Sequence, residues 1–297
     1  MIKRIIDISS LNVKLSVSHD LLVIESQEKV TVPLTNIAAL IVSSPAVIYT
    51  HAVLAKLSEF GAIFVCCDNY HLPIGMLQPL VSHSTQTQRF AKQILATIPF
   101  RKQIWKKIIT RKIEVQAQLL IRRKREDFGL LSLSKNVKSG DEGNLEAQAA
   151  KIYWKHISSN IDFKRNIYGD NENILLNYGY AILRATIARN LCATGLNPSI
   201  GIFHKSKYNP FCLADDLMEP FRPLVDNEVF TIVDEGKFND KILNSEIKHR
   251  IISLMYNKFL LNKESRQLHD IISISAQSLS AAFLTSKSNL VLPNLLK

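Results

Sequence analysis

The chain lacks any run approaching the roughly 20 apolar residues that a membrane-spanning helix requires, and no membrane partner is expected from it. Its first residues, Met-Ile-Lys-Arg-Ile-Ile-Asp, hold no apolar core followed by a small-residue cleavage site, so a cytoplasmic protein is expected. Cysteine is scarce: Cys66, Cys67, Cys192 and Cys212 form no C-x-x-C pair. Cys66 and Cys67 are adjacent in a strand-like run, where neighbours point to opposite faces, so structural zinc is not expected and buried reduced thiols are. There is no G-x-x-x-x-G-K-[ST] loop, which removes the usual signal for ATP hydrolysis. His204 is followed by Lys205-Ser206-Lys207, not by the H-x-x-R element that a tyrosine-type recombinase needs. Internal repeats and low-complexity tracts are absent as well.

What is present is a globular composition with a strong positive excess. The 297 residues are 46% apolar and 21% charged, enough for two modest cores. Lys and Arg number 37 against 26 Asp and Glu, a formal charge of +11, which favours a polyanionic partner, nucleic acid first. A basic but inert surface gives the same count, so charge alone names nothing. The cations cluster in Arg101, Lys102, Lys106, Lys107, Arg111 and Lys112, again in Arg122-Arg123-Lys124-Arg125, and at Arg184 and Arg189. Such clusters either bind phosphates without reading sequence or are solvated helix faces.

The spacing predicts an α+β chain: a small N-terminal β-sheet domain over residues 1–80, followed by a larger all-helical domain over 81–297. Branched runs at Lys3–Ile8, Asn12–Val17, Leu21–Ser26 and Lys29–Pro33, separated by polar turns, read as a meander of hairpins, and Ala38–Val42 as another strand after it. Thr50–Phe60 reads as a short helix with Thr50 as N-cap and Gly61 as its stop, and Ala62–Cys67 as a buried strand. After the polar stretch Ser82–Gln88 the pattern turns helical at Arg89–Leu95, Gln103–Arg125, Leu145–Ser158 and Ile174–Gly195. A polar loop from Leu133 to Gly143 delivers Glu146 to the start of the next helix.

Four residues in this second half could share one cation: Glu146, His204, Asp216 and Glu219. Glu146 lies in a first helical turn, where the positive end of the helix dipole favours a carboxylate, with Ala147, Ala149 and Ala150 around it leaving room for close approach. His204 lies on a connection marked by Gly195, Pro198 and Gly201. Asp216 and Glu219 are three residues apart and share one face if helical, and Pro220 removes an amide, so the backbone must bend or begin anew there. Arg222 is available either for a phosphate or for a buried salt bridge with these acids. A donor set of carboxylates plus one imidazole favours Mg²⁺ or Mn²⁺.

These marks in order carry a resemblance. Glu146 within Asn-Leu-Glu-Ala-Gln-Ala-Ala, the segment Leu176-Asn-Tyr-Gly-Tyr-Ala-Ile-Leu-Arg184, the loop Gly195 to His204, and Asp216-Leu-Met-Glu219-Pro-Phe-Arg222-Pro resemble the CRISPR-associated integrase of the adaptation module, the first of the Cas proteins, in its shorter type II form. The resemblance covers nearly the whole chain. It implies an N-terminal β-domain that forms a homodimer and a helical domain with Glu146, His204 and Glu219 as metal ligands and catalytic residues, Asp216 as a supporting acid. It further implies insertion of short double-stranded DNA fragments into a CRISPR repeat by attack of a 3′-hydroxyl on a phosphodiester, with DNA cleavage as a related activity. Two such dimers would flank one dimer of a small ferredoxin-fold partner, the second Cas protein. Lys205, Lys207 and Arg222 become candidate DNA-binding residues by position and charge. A catalytically inert DNA-binding scaffold is the competing reading.

Overall fold

The structure, a computed structural model, describes residues 4–67, 73–77, 79, 84–160, 162–166, 169, 171–238, 242–261 and 264–294. It divides into two compact units, Met1–Gln86 and Thr87–Lys297. The point near residue 80 where the sequence changes texture falls among residues outside that description.

The first unit is built from strands β1 (Arg4–Ile8), β2 (Lys14–Ser18), β3 (Leu21–Glu25), β4 (Lys29–Pro33), β5 (Ile37–Val42), β6 (Ile48–Tyr49), β7 (Ile63–Cys67) and β8 (Pro73–Leu77), with helix α1 (His51–Glu59) between β6 and β7. The expected meander is real only for β2, β3 and β4, which pair antiparallel through short turns. β1 leaves that sheet and pairs in parallel with β5, which pairs in parallel with β7. The reason is legible in β5: all six of its residues are buried, as a strand flanked on both sides and covered on both faces demands. Parallel neighbours cannot be joined by a tight turn, and α1 supplies the crossover from β5 to β7. Leu15, Leu22, Leu34, Ile37, Leu40, Val53, Leu57 and Phe64 form the core between the layers.

The second unit is helical: α2 (Gln86–Ile94), α3 (Ile98–Lys124), α4 (Leu130–Lys135), α5 (Leu145–Ile157), α6 (Glu172–Ala193), α7 (Cys212–Met218), α8 (Arg222–Asp234), α9 (Ser245–Ser253) and α10 (Leu268–Thr285). One hairpin, β9 (Lys258–Leu261) with β10 (Glu264–Gln267), adds to the expected all-helical arrangement. It forms because this stretch is too polar and too short for a buried helix and pairs antiparallel before α10 begins. α4 occupies the front of the expected polar loop, nucleated where the Asp127 carboxylate accepts from the amides of Gly129 and Leu131 at 3.3 and 2.8 Å. α3 is the longest element, and its Ile104, Trp105, Ile108, Ile109, Ile113, Leu119 and Leu120 are buried. None of the four cysteines is joined in a disulfide, and burial pushes Cys192 up to about 12. No helix among the described residues is long and apolar enough to cross a membrane.

α6 and α8 meet at Gly179, where an added Cβ would collide with the Val225 side chain. Gly179→Ala therefore gains roughly 1 kcal/mol of helix propensity but is expected to lose more to overpacking, about 1–3 kcal/mol. A net fall in stability in urea denaturation, with unchanged m-value, is the expected result.

Candidate functional site

The site is assembled on α3, α5, the loop 197–208 and the α7–α8 junction. At that junction the proline acts as the sequence suggests: α7 stops at Met218, Glu219–Phe221 forms one 3-10 turn, and α8 begins at Arg222. Glu219 thus projects from a bend, 5% exposed. Glu146 projects from the second residue of α5. The amides of Leu145 and Glu146 are satisfied by the Asp141 carboxylate at 2.9 and 3.0 Å, so this helix start is capped from the preceding turn and the Glu146 carboxylate is left for other work.

Between the two glutamates lies Lys112 of α3. Its Nζ is 2.6 Å from Glu146 Oε1 and 2.6 Å from Glu219 Oε2. The first contact is a hydrogen bond; the second is an ion pair whose angle leaves Glu219 Oε2 without a directed donor. The other oxygen of Glu219 accepts from Arg222 Nε at 2.9 Å. Burial opposes the Glu219 charge, but Arg222 and Lys112 outweigh it and hold the carboxyl down at about 2. Burial likewise opposes the Lys112 charge, and Glu219 and Glu146 together keep the ammonium above its ordinary value. The salt bridge between Glu219 and Arg222 that the sequence left open is therefore present, and Lys112 doubles it.

His204 belongs to a second cluster. The fully buried Asp216 carboxylate accepts from the amides of Ile202, Phe203 and His204 at 2.5, 3.0 and 3.1 Å, and its Oδ1 lies 2.7 Å from His204 Nδ1. Asp216 is thus the clamp of the loop. With Nδ1–H donated to Asp216, Nε2 of the imidazole keeps its lone pair for an outside partner. The hydrogen bond that His204 donates to Asp216 and the charges of Asp216, Glu219 and Asp215 hold His204 above its ordinary value, burial opposing them. Gly201 is required here: a side chain would run into the His204 carbonyl, Cys212 and Asp216. From the other side the loop is fastened by Gln93, which exchanges hydrogen bonds with Asn197 and Ile200, and by Arg101, which donates to the Gly201 carbonyl at 3.3 Å. Phe203 stacks flat on Trp105 at 4.2 Å, and the His204 ring stands edge-on to Trp105 at 5.7 Å.

Glu146 and Glu219 are brought together through Lys112, while His204 is tied to Asp216 one turn earlier in the chain. Among the described residues no three Asp, Glu, His or Cys side chains form a group placed to hold a metal ion. The donors nevertheless suit one: two carboxylates already converge on a single positive charge, and one buried carboxylate oxygen has no directed donor. Lys205 and Lys207 lie exposed beside His204, with Lys207 over the Tyr208 ring. Arg222 is engaged with Glu219 and lies over the Tyr180 ring at 4.7 Å.

Several cations of the α3 cluster are engaged within the chain. Arg101 holds carbonyls, Lys102 pairs with Glu142, Arg111 pairs with Glu114, and Lys112 sits in the site. Sequence reasoning missed Lys112, although a signal exists. Arg101, Lys112 and Arg123 are spaced by eleven, three helical turns, so they form one stripe of α3. Each fastens a different segment: the His204 loop, the two glutamates, and Phe230 and Asp234 at the end of α8.

Comparison with known proteins follows this geometry. The family described as CRISPR associated protein Cas1 matches residues 7–267. This chain belongs to the Cas1 family. It is 37% identical over 249 residues to the CRISPR-associated endonuclease Cas1 of Neisseria meningitidis serogroup C, covering 82% of this chain and 80% of that protein. It is 27% identical over 293 residues to a CRISPR-associated endonuclease Cas1 of Pyrobaculum aerophilum, covering 94% and 99%. Its fold is shared with a casposase bound to integration product, at TM-score 0.81 and 21% identity over 97% of this chain and 92% of that one. A Cas1 protein from Thermotoga maritima aligns at TM-score 0.77 and 18% identity, covering 95% and 97%.

The loop clamp makes a testable pair of statements. Asp216→Ala leaves three loop amides and an imidazole without their acceptor, and a loss of about 3–5 kcal/mol is expected in chemical denaturation. Because the His204 value is raised on folding, its contribution is complete below 6.5 and is lost as pH rises through the folded value. Histidine NMR titration should show that raised value in the parent and its return toward 6.5 in Asp216→Asn.

Proposed function

We propose that this Cas1-family chain is a metal-dependent DNA integrase and endonuclease, which inserts short DNA fragments into a CRISPR array. The observation that carries the reading is the convergence of Glu146 and Glu219 on one cation position, with His204 held by Asp216 in a single orientation beside Glu219 in the chain. The relatives named above as Cas1 endonucleases and the casposase bound to integration product support the same reaction class.

In this reading Glu146, Glu219 and the Nε2 of His204 hold a Mg²⁺ or Mn²⁺ ion, with Asp216 supporting the histidine. When bound, the ion supplies Lewis-acid polarisation of a phosphoryl oxygen and offsets the charge that develops there. The chain's own residues do the rest. Asp216 fixes the imidazole so that Nε2 faces outward. Lys112 and Arg222 stand next to the carboxylates as the groups able to meet a phosphate, and Lys205 and Lys207 extend that positive surface along the loop. A fragment's 3′-hydroxyl attacks the phosphodiester directly, so no covalent link to the protein forms, and water in its place gives strand cleavage. The type II form is part of the same proposal.

A Cas6-RT-Cas1–Cas2 complex and a TtCas1–DNA complex share the fold, which supports DNA and a second Cas protein as partners; the DNA proposed is double-stranded and the second protein a small ferredoxin-fold one. Exposed apolar side chains on the first unit, among them Ile48 and Ile74, suit the proposed homodimer through the β-domain. The assembly proposed is two dimers of this chain on one dimer of the partner.

Glu146→Ala and His204→Ala are each expected to lower strand transfer into a supercoiled CRISPR plasmid by a hundredfold or more, about what one lost electrostatic contact costs. Retained activity in both variants and in the presence of chelator would leave the inert scaffold as the better reading. A second expectation concerns Lys112, whose ammonium must give way for an ion to reach both carboxylates. Lys112→Met removes the cation between the partly buried Glu146 and the buried Glu219, which keeps only Arg222, so melting temperature should fall, and added Mn²⁺ should restore more of it than it adds to the parent. Calorimetry without DNA should show tighter Mn²⁺ binding by the variant.

A further inference from the structure

One buried carboxylate of the second unit has no part in the reaction described so far. Asp226 lies one turn past the start of α8 and is 1% exposed. It accepts from the Tyr153 hydroxyl at 2.7 Å and from the Tyr180 hydroxyl. Burial and the Asp226 charge push both tyrosines well above their ordinary value, so both hydroxyls keep their protons and donate. Burial also pushes the Asp226 carboxyl up to about 6, against the two hydroxyls and the charges of Arg222 and Arg165, which leaves it ionised at neutral pH. Tyr153 stands two turns along α5 from Glu146, and Tyr180 belongs to α6. The carboxylate thus joins the helix that carries Glu146 to the helix that begins at Arg222.

The Tyr180 ring passes that contact on. The Arg222 guanidinium lies over it at 4.7 Å and the Arg165 guanidinium at 5.4 Å. A hydroxyl that donates to an anion makes its own ring a better seat for cations. Arg165 uses its fork on Asn166, Asn173 and Asn177. Arg222 does not: its Nε donates to Glu219 at 2.9 Å, while its two terminal amino groups have no hydrogen-bond partner among the described residues, on a side chain that is 24% exposed. A guanidinium held by Nε and by its face, with both amino ends of the fork open, is set for bidentate contact with a phosphate.

A knot between three helices does not by itself call for a charge. Exchanging a buried charged cluster for well-packed apolar groups is often neutral or stabilising, so α5, α6 and α8 could be joined here without an acid. What the ionised carboxylate adds is direction.

We infer that Asp226 is a positioning residue for the transfer reaction: through the Tyr180 hydroxyl it fixes the ring on which Arg222 rests, and so sets the angle at which Arg222 presents its amino groups beside Glu219. The inference rests on the reaction proposed above and deepens it. A displacement of about 1 Å at a reacting group can slow a reaction roughly a hundredfold, so a residue behind the site can govern its rate.

The test is single-turnover strand transfer into a supercoiled CRISPR plasmid at saturating Mn²⁺, well below the melting temperature of each variant. Asp226→Asn keeps the shape and removes the charge; Tyr180→Phe keeps the ring and removes the hydroxyl. Each should lower the maximal rate about tenfold, less than the roughly hundredfold or more of a lost direct donor, with the DNA concentration for half-maximal rate within about twofold of the parent. Arg222→Lys keeps a charge beside Glu219 and gives up the fork, and should also slow transfer. In that background Asp226→Asn and Tyr180→Phe should each slow it less than about twofold further, because they act through the same guanidinium. A merely structural Asp226 predicts a lower melting temperature, an unchanged rate for the folded protein and effects that multiply with Arg222→Lys. An unchanged rate or multiplied effects in a parent that is active and metal-dependent overturns the inference alone, and Tyr180→Phe decides it should Asp226→Asn not fold. A parent that transfers no strand, or does so equally well in chelator, overturns the metal-dependent reading and the inference with it.

Discussion

One buried ammonium sets the charge balance on which the second unit depends. Glu146 comes from α5 and Glu219 from the α7–α8 bend, and two carboxylates cannot approach each other in a desolvated place without a cation between them. Lys112 supplies that cation from α3, with Arg222 closing the far side of Glu219. Three elements remote in sequence are thereby registered at one point. The arrangement is neutralised well enough to stand without an ion, yet it keeps the two acids aimed at a shared position. In the proposed function, where a divalent ion and a polyanion occupy the site in turn, such an internal counter-charge leaves neither acid bare in the interval.

The loop clamp follows the same logic with the signs exchanged. Asp216 is a fully buried anion, and the cation it needs is spread over three amide dipoles and an imidazole. The loop around His204, which contains no regular structure, is thereby held by four contacts to one carboxylate. Phe203 stacked on Trp105 adds a flat support under the ring.

The order of elements was legible because the chain marks its boundaries strongly. Apolar runs with polar turns gave β2, β3 and β4, and Pro220 gave the break between α7 and α8. The pairing of β1 with β5 was not legible, since parallel registry depends on a crossover that local pattern does not describe. At the site, Glu146, His204, Asp216 and Glu219 were visible as residue types in order, and their placement in two linked pairs was not. Lys112 was hidden by its company: among nine cations on one helix nothing in its immediate neighbours distinguishes the buried one.

The stripe of Arg101, Lys112 and Arg123 makes α3 a ruler. At 1.5 Å per residue the three attachment points lie about 16 Å apart along one straight rod, and each grips a segment that touches no other gripping residue. Adding or deleting a single residue between them would rotate everything beyond it by about 100°. The loop, the acids and α8 would then be addressed by different faces of the helix. Between residues 101 and 123 the length of the chain is as constrained as its chemistry. Where this protein can be cut and rejoined, or carry an insert, is decided by that spacing more than by distance from the acids.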